Sequence, residues 1–170
     1  TSKPLPAEQG KASQKIKVAY CSADFRAHPV SFLTAELFEI HDREKFEFIG
    51  ISFSNVKDEW HKRISCAFDQ FLDASQMSDE EVIDFARKHE LDIAIDLGGY
   101  TQKSRFGLFV KRLAPVQMSY LGYLGTTGSN CIDYIIADSE LIPADSQKFY
   151  SEKVAYLPTY QANDSHRAPS

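Results

Sequence analysis

Between Lys15 and Leu97, short runs rich in β-branched and aromatic residues alternate with longer stretches of helical periodicity. Strands separated by helices cannot pair through tight hairpins, so this alternation restricts the chain to a sheet of parallel strands. The pattern predicts strands at Ile16–Ser22, Phe46–Phe53, Gln70–Asp73 and Leu91–Leu97, with helices at Val30–His41, Lys57–Phe68 and Ser78–His89 between them. The last helix carries its own start signal: Ser78-Asp79-Glu80-Glu81 fits a capping box, and Val82, Phe85 and Ala86 follow as an apolar stripe at helical spacing. Beyond Leu97 the pattern loosens into a short helix at Ser104–Leu113, strands at Val116–Leu121 and Ile132–Ala137, a turn-rich segment at Pro143–Lys153 and a strand at Val154–Leu157. The expected fold class is α/β, a Rossmann-like parallel sheet with helices on both faces.

A chain of 170 residues is long enough for one domain with its own core. Residues 1–14, with Pro4, Pro6 and Gly10, read as a linker or frayed terminus, residues 15–157 as the domain, and residues 158–170 as a polar connection leading out of it. The net charge of −5 arises from interspersed acids and bases with no basic patch, so no nucleic-acid partner is expected. Apolar runs such as Tyr134–Ala137 are far too short to span a bilayer, and the N-terminus has no signal-peptide core. No membrane association and a cytoplasmic or nucleocytoplasmic location are expected. Cys21, Cys66 and Cys131 form no metal pattern and read as buried free thiols. His41, His61 and His89 lie among charged residues on or beside helices and read as solvated.

Open parallel sheets collect ligands beyond the carboxyl ends of their strands, where loops and helix N-termini present backbone N–H groups. Three loops qualify: Asp24–Pro29 with His28, Asp96–Thr101 with Gly98-Gly99, and Gly122–Gly128. Each has a plain structural explanation. His28 before Pro29 could cap the next helix, Gly98-Gly99 could be a tight strand exit, and Gly122–Gly128 could be a turn. Three polar, glycine-bearing loops at one end of successive strands nevertheless favour a site. Neither a dinucleotide Gly-x-Gly-x-x-Gly nor a P-loop is present, which disfavours a nicotinamide enzyme or a P-loop phosphatase. Asp92 and Asp96 sit four apart on one strand, roughly 13 Å from each other, too far for a joint carboxylate mechanism.

The loops carry a resemblance. Ser22-Ala-Asp24-Phe-x-x-His28-Pro29, Lys45-Phe-Glu47, Asp96-Leu-x-Gly99-Tyr100-Thr101, Ala114-Pro115-Val-Gln117, Leu121-Gly-Tyr-x-Gly125-Thr-x-Gly128, Asp133-Tyr134-Ile-x-x-Asp138 and Tyr150-Ser-Glu152-Lys-x-x-Tyr156-Leu-Pro158 follow one another in order. The set resembles the O-GlcNAc transferase and SPINDLY-like glycosyltransferases from about Lys15 onward, and bacterial members more than animal ones.

The resemblance implies the first half of a GT-B glycosyltransferase, two Rossmann-like halves facing each other across a cleft. A missing C-terminal half would hold the nucleotide sugar, and a tetratricopeptide (TPR) array would precede this half and bind protein acceptors. It implies an inverting transfer, most simply of N-acetylglucosamine from a UDP-sugar donor to Ser or Thr hydroxyls of a protein or peptide acceptor, with neither metal nor further cofactor. SPINDLY-like relatives use GDP-fucose, so O-fucosyl transfer is the alternative. By position, His28 matches the family's active-site histidine, considered as a base, and Asp96 could act through water. Gly99, Tyr100 and Thr101 match a loop near the acceptor, and Leu121, Gly122, Leu124 and Gly125 match the loop that contacts the sugar. The family usually has proline where this chain has Leu124, and Leu157–Tyr160 is one residue shorter than the usual pattern. An isolated half should be inactive. A non-catalytic α/β interaction module is the reading from another class, and a sugar-nucleotide epimerase shares the architecture but not this order of motifs.

Overall fold

Every neighbouring pair of strands runs parallel, as the alternation requires. The computed structural model describes residues 14–166, so of the expected linker only Gln14 falls among the described residues, and residues 167–170 lie outside them. The strands are β1 (Ile16–Ser22), β2 (Phe46–Ser52), β3 (Gln70–Asp73), β4 (Ile93–Asp96), β5 (Val116–Ser119), β6 (Tyr134–Ala137) and β7 (Lys153–Tyr156), in one sheet of order β3-β2-β1-β4-β5-β6-β7. The helices are α1 (Pro29–Ile40), α2 (Glu59–Cys66), α3 (Asp79–Lys88) and a single turn, α4 (Gly107–Val110), with a 3₁₀ segment at Ala144–Phe149. The Rossmann-like α/β expectation holds.

Two cores form because helices cover both faces of the sheet. On one face α1 and α2 bury Val30, Ala35, Phe38 and Ile64 against Val18, Tyr20, Phe48 and Ile95. On the other, α3 and α4 bury Val82, Ile83, Ala86, Leu108 and Phe109 against Ala19, Cys21, Ile49 and Ala94. The first core is aromatic. Phe38, fully buried, lies 4.8 Å from the rings of both Tyr20 and Phe68 and meets Phe25 edge-on at 5.9 Å. Burial of side chains this size stabilises by about 1.5–3 kcal/mol each.

Local chemistry sets the helix ends. The capping box predicted at Ser78 forms with Glu81 in both directions. Asp58 caps α2 by accepting from the His61 N–H, so that helix starts at Glu59 and not at Lys57 as the periodicity suggests. The short helix expected at Ser104–Leu113 is cut to one turn by Gln117. Its side chain donates to the Phe109 carbonyl at 2.8 Å and accepts from the Leu113 N–H at 2.7 Å, the two groups that a continuing helix would join to each other. Arg112 beside them has φ of 64°.

Two readings of the sequence need correction. His41 is partly buried and stacks on Phe48 at 3.9 Å while pairing with the Tyr20 hydroxyl at 3.1 Å; aromatic packing, not solvent, holds it, and burial pushes its pKa down to about 4. His61 and His89 are likewise half-buried, each with Nδ1 at 2.9 Å from a backbone carbonyl. Of the three cysteines, only Cys21 is buried; Cys66, the last residue of α2, is exposed. Asp92, the residue just before β4, ties that strand's entry to β1, its carboxylate accepting from the Lys17 N–H at 2.8 Å.

Phe38→Ala leaves a void inside the aromatic core and should lower the free energy of unfolding by about 3–5 kcal/mol, read as a shifted urea midpoint of the full-length protein.

Candidate functional site

The strand order reverses beside β1, which pairs with β2 on one side and β4 on the other. Crossovers leave β1 and β4 toward opposite faces, so the loops at their carboxyl ends part and leave a crevice. A cavity of about 390 Å³ opens there, lined by Asp24, Arg26, His28, Pro29, Val30 and Leu33 from the β1 side, Thr101, Gln102 and Lys103 beyond β4, and Leu121 and Gly122 beyond β5. All three expected loops contribute or lie against it.

His28 caps α1 and lines the cavity at the same time. Its Nδ1 accepts from the Val30 N–H at 3.3 Å, and Pro29, lacking an N–H, fills the first helical position where none is needed. With Nδ1 occupied as an acceptor, the neutral ring carries its proton on Nε2, 3.8 Å from Asp24 Oδ1. Asp24 also takes Arg26 Nη2 at 2.8 Å, and the Asp24 carbonyl accepts from the buried Ser31 hydroxyl at 2.6 Å. Capping α1 does not keep the His28 ring from lining the cavity.

Asp96 lies under the second loop. Its two carboxylate oxygens accept from the Gly98 and Gly99 N–H groups at 2.8 and 2.9 Å, and it is 3% exposed. Burial pushes its pKa up to about 6, opposed by these two N–H donors. Gly99 has φ of 58°, and a Cβ there would meet Tyr123 Cβ at 2.3 Å, so the loop packs against its neighbour as only glycine allows. Tyr100 donates to the Thr127 carbonyl at 2.8 Å, tying the second loop to the third.

The third loop begins with a tight reversal. Leu121 has φ of 64°, and a Cβ on Gly122 would lie 2.0 Å from the Leu97 carbonyl oxygen, so the backbone is pressed onto the end of β4. Farther on, Glu152 is buried and accepts from the Thr127 N–H at 2.7 Å, the Thr126 hydroxyl at 2.7 Å and the Thr127 hydroxyl. Burial alone would push its carboxyl up, but these donors hold it below the ordinary range.

Of the residues singled out in the sequence, His28, Thr101, Leu121 and Gly122 line the cavity. Asp96, Gly99, Tyr100, Leu124 and Gly125 do not; Leu124 is 44% exposed, and its carbonyl accepts from the Tyr150 hydroxyl at 3.1 Å. The sequence reasoning missed Arg26, Leu33, Gln102 and Lys103. Lys103 has φ of 63° with no glycine to announce the turn, whereas Asp24, four before His28 in a strand-exit loop, was a readable signal. Among the described residues, no group of three or more His, Cys, Asp or Glu is placed to hold a metal ion, and no helix is long and apolar enough to cross a membrane.

The backbone superposes on a mutant of the Thermobaculum terrenum O-GlcNAc transferase with a TM-score of 0.84 and 29% identity, over 93% of this chain and 31% of that one. Fold and crevice thus define a Rossmann-like glycosyltransferase domain. The chain belongs to glycosyl transferase family 41, whose description matches residues 3–168. It is 36% identical over 162 residues to the probable UDP-N-acetylglucosamine peptide N-acetylglucosaminyltransferase SEC of Arabidopsis thaliana, and 31% identical over 147 residues to the UDP-N-acetylglucosamine peptide N-acetylglucosaminyltransferase of Caenorhabditis elegans. These alignments cover 94% and 85% of this chain but only 17% and 13% of those proteins.

Two outcomes follow from the loop geometry. Gly122→Ala forces the reversal off the Leu97 carbonyl and should cost about 1–3 kcal/mol in urea unfolding. Because the folded state holds the Asp96 proton more tightly than the unfolded one, its contribution to stability is lost as pH rises through about 6. The stability difference between wild type and Asp96→Asn should therefore change between pH 5 and pH 7.5.

Proposed function

We propose that the full-length protein transfers N-acetylglucosamine from UDP-GlcNAc to Ser or Thr hydroxyls of protein acceptors, and that this chain forms the acceptor-side wall of the cleft. The observation that carries the reading is the cavity at the strand-order reversal with the His28 imidazole on its wall, in a chain of family 41. The acceptor oxygen attacks the anomeric carbon, the bond from that carbon to the diphosphate oxygen breaks so that UDP leaves, and the hydroxyl proton passes to the departing diphosphate. A second Rossmann-like half facing this cavity would hold the nucleotide, and a TPR array would present the acceptor. The reaction takes place in the cytoplasm and uses no further cofactor.

The roles proposed here draw on the geometry for His28 and Asp96 and on the resemblance for the other loop residues. His28 reaches into the cavity with a protonated Nε2, so it orients an oxygen of the substrate by donating to it; taking the proton would require the other tautomer and the loss of the Val30 cap. Asp96 shapes Gly98 and Gly99 from beneath. Gly99, Tyr100 and Thr101 shape the acceptor side, and Leu121, Gly122, Leu124 and Gly125 the sugar side.

The test uses the full-length protein, serine-rich peptides, and UDP-GlcNAc and GDP-fucose side by side. Transfer from UDP-GlcNAc is expected; transfer from GDP-fucose alone would replace it with O-fucosylation, and none from either would leave a binding module. His28→Ala should lower kcat/KM by roughly 10²-fold, the usual cost of one lost donor at a reacting oxygen. His28→Gln, which restores an N–H, should recover part of that loss, whereas a proton-accepting role predicts that Gln is as inactive as Ala.

A further inference from the structure

We infer that Tyr160 is a positioning residue: through its hydroxyl and its partner Tyr120 it holds Leu121 in a strained turn that forms one wall of the cavity. The inference rests on the glycosyl-transfer reading for its kinetic arm, while its structural arm stands without it.

The Gly122 N–H donates to the Tyr120 carbonyl at 2.9 Å, two residues back, with Leu121 between them at φ of 64°. This is a γ-turn with positive φ, the rarer and more strained of the two γ forms. A non-glycine residue in that region costs on the order of 1–3 kcal/mol and persists only where its surroundings over-determine it. On one side, the Gly122 backbone lies so close to the Leu97 carbonyl that an added Cβ would be 2.0 Å from its oxygen. On the other, the Tyr160 hydroxyl donates to the Leu121 carbonyl at 3.2 Å.

Tyr160 can serve as a post because it is itself fixed. Its carbonyl accepts from the Tyr120 hydroxyl at 2.8 Å, its N–H donates to Asp138 Oδ2 at 2.7 Å, and the two tyrosine rings meet edge-on at 5.6 Å. Each tyrosine thus bonds to backbone at or beside the other. Burial holds the Tyr160 phenol well above its ordinary pKa, so the hydroxyl stays a donor. The segment that follows crosses back over α1 and α2. Asp164, 1% exposed, takes Arg63 Nη1 at 2.5 Å, Arg63 also forks onto Glu39 at 2.8 and 2.9 Å, and Ser165 bonds to Glu36. The turn that shapes the cavity is therefore held from a segment nearly forty residues later in the chain.

The experiment is a cycle in the full-length protein. Tyr160→Phe keeps the ring and removes the hydroxyl, so KM for UDP-GlcNAc should rise about two- to tenfold, the range expected for one neutral hydrogen bond, with a smaller change in kcat. Leu121→Gly removes the penalty for positive φ and makes the brace dispensable, so adding Tyr160→Phe to it should change KM less than twofold. An equal factor in both backgrounds would assign Tyr160 to general packing and overturn the inference. Amide exchange at Gly122 supplies the second readout: Tyr160→Phe should speed it severalfold even if the protein transfers no sugar. Unchanged exchange there would sink the proposal whatever the donor proves to be.

Discussion

The position of β1 between β2 and β4 is the constraint from which the site follows. Because the crossovers diverge there, the exits of β1 and β4 cannot cover each other, and the first turn of α1 is left facing the gap. The strand ends beneath the crevice stay closed to solvent: Ser22, Asp96 and Ser119 are 1%, 3% and 1% exposed.

The irregular segments at both ends of the sheet are built on buried polar side chains standing in for backbone partners. Gln117 takes the groups that would extend α4, Asp96 collects the N–H groups of a glycine pair, and Glu152 gathers two threonines. Each substitutes a rigid hydrogen-bonded centre for regular structure. Irregular segments fixed in this way are irregular in trace but not loose.

The fold was legible because hydrophobic period and crossover rules leave few choices: α3 with its capping box and β1 fell where their patterns put them. The helix at Ser104–Leu113 was misjudged in length because the residue that stops it, Gln117, lies outside it and acts through a side chain. His41 was misjudged because helical position says nothing about the Tyr20 and Phe48 rings brought from other strands. At the site, His28 and the glycine loops announced themselves by type and place. Lys103 and Tyr160 did not, since one turns with positive φ without a glycine and the other reaches Leu121 from far along the chain.

The sheet is unevenly sewn. β1 and β2 share seven register pairs, but β5 and β6 share only Met118 with Tyr134 and Ser119 with Ile135. The β6–β7 pair, with its small cluster of Ile135, Ala137 and Ile142, joins the main body by that short seam, by the bonds of Asp133 to Arg112 and Gln117, and by Ile136 packed on the aromatic core. Such a seam divides a domain into cooperative units that open at different free energies. Amides of β6 and β7 should accordingly exchange with solvent faster than those of β1 and β2, whose long shared register must part as one piece.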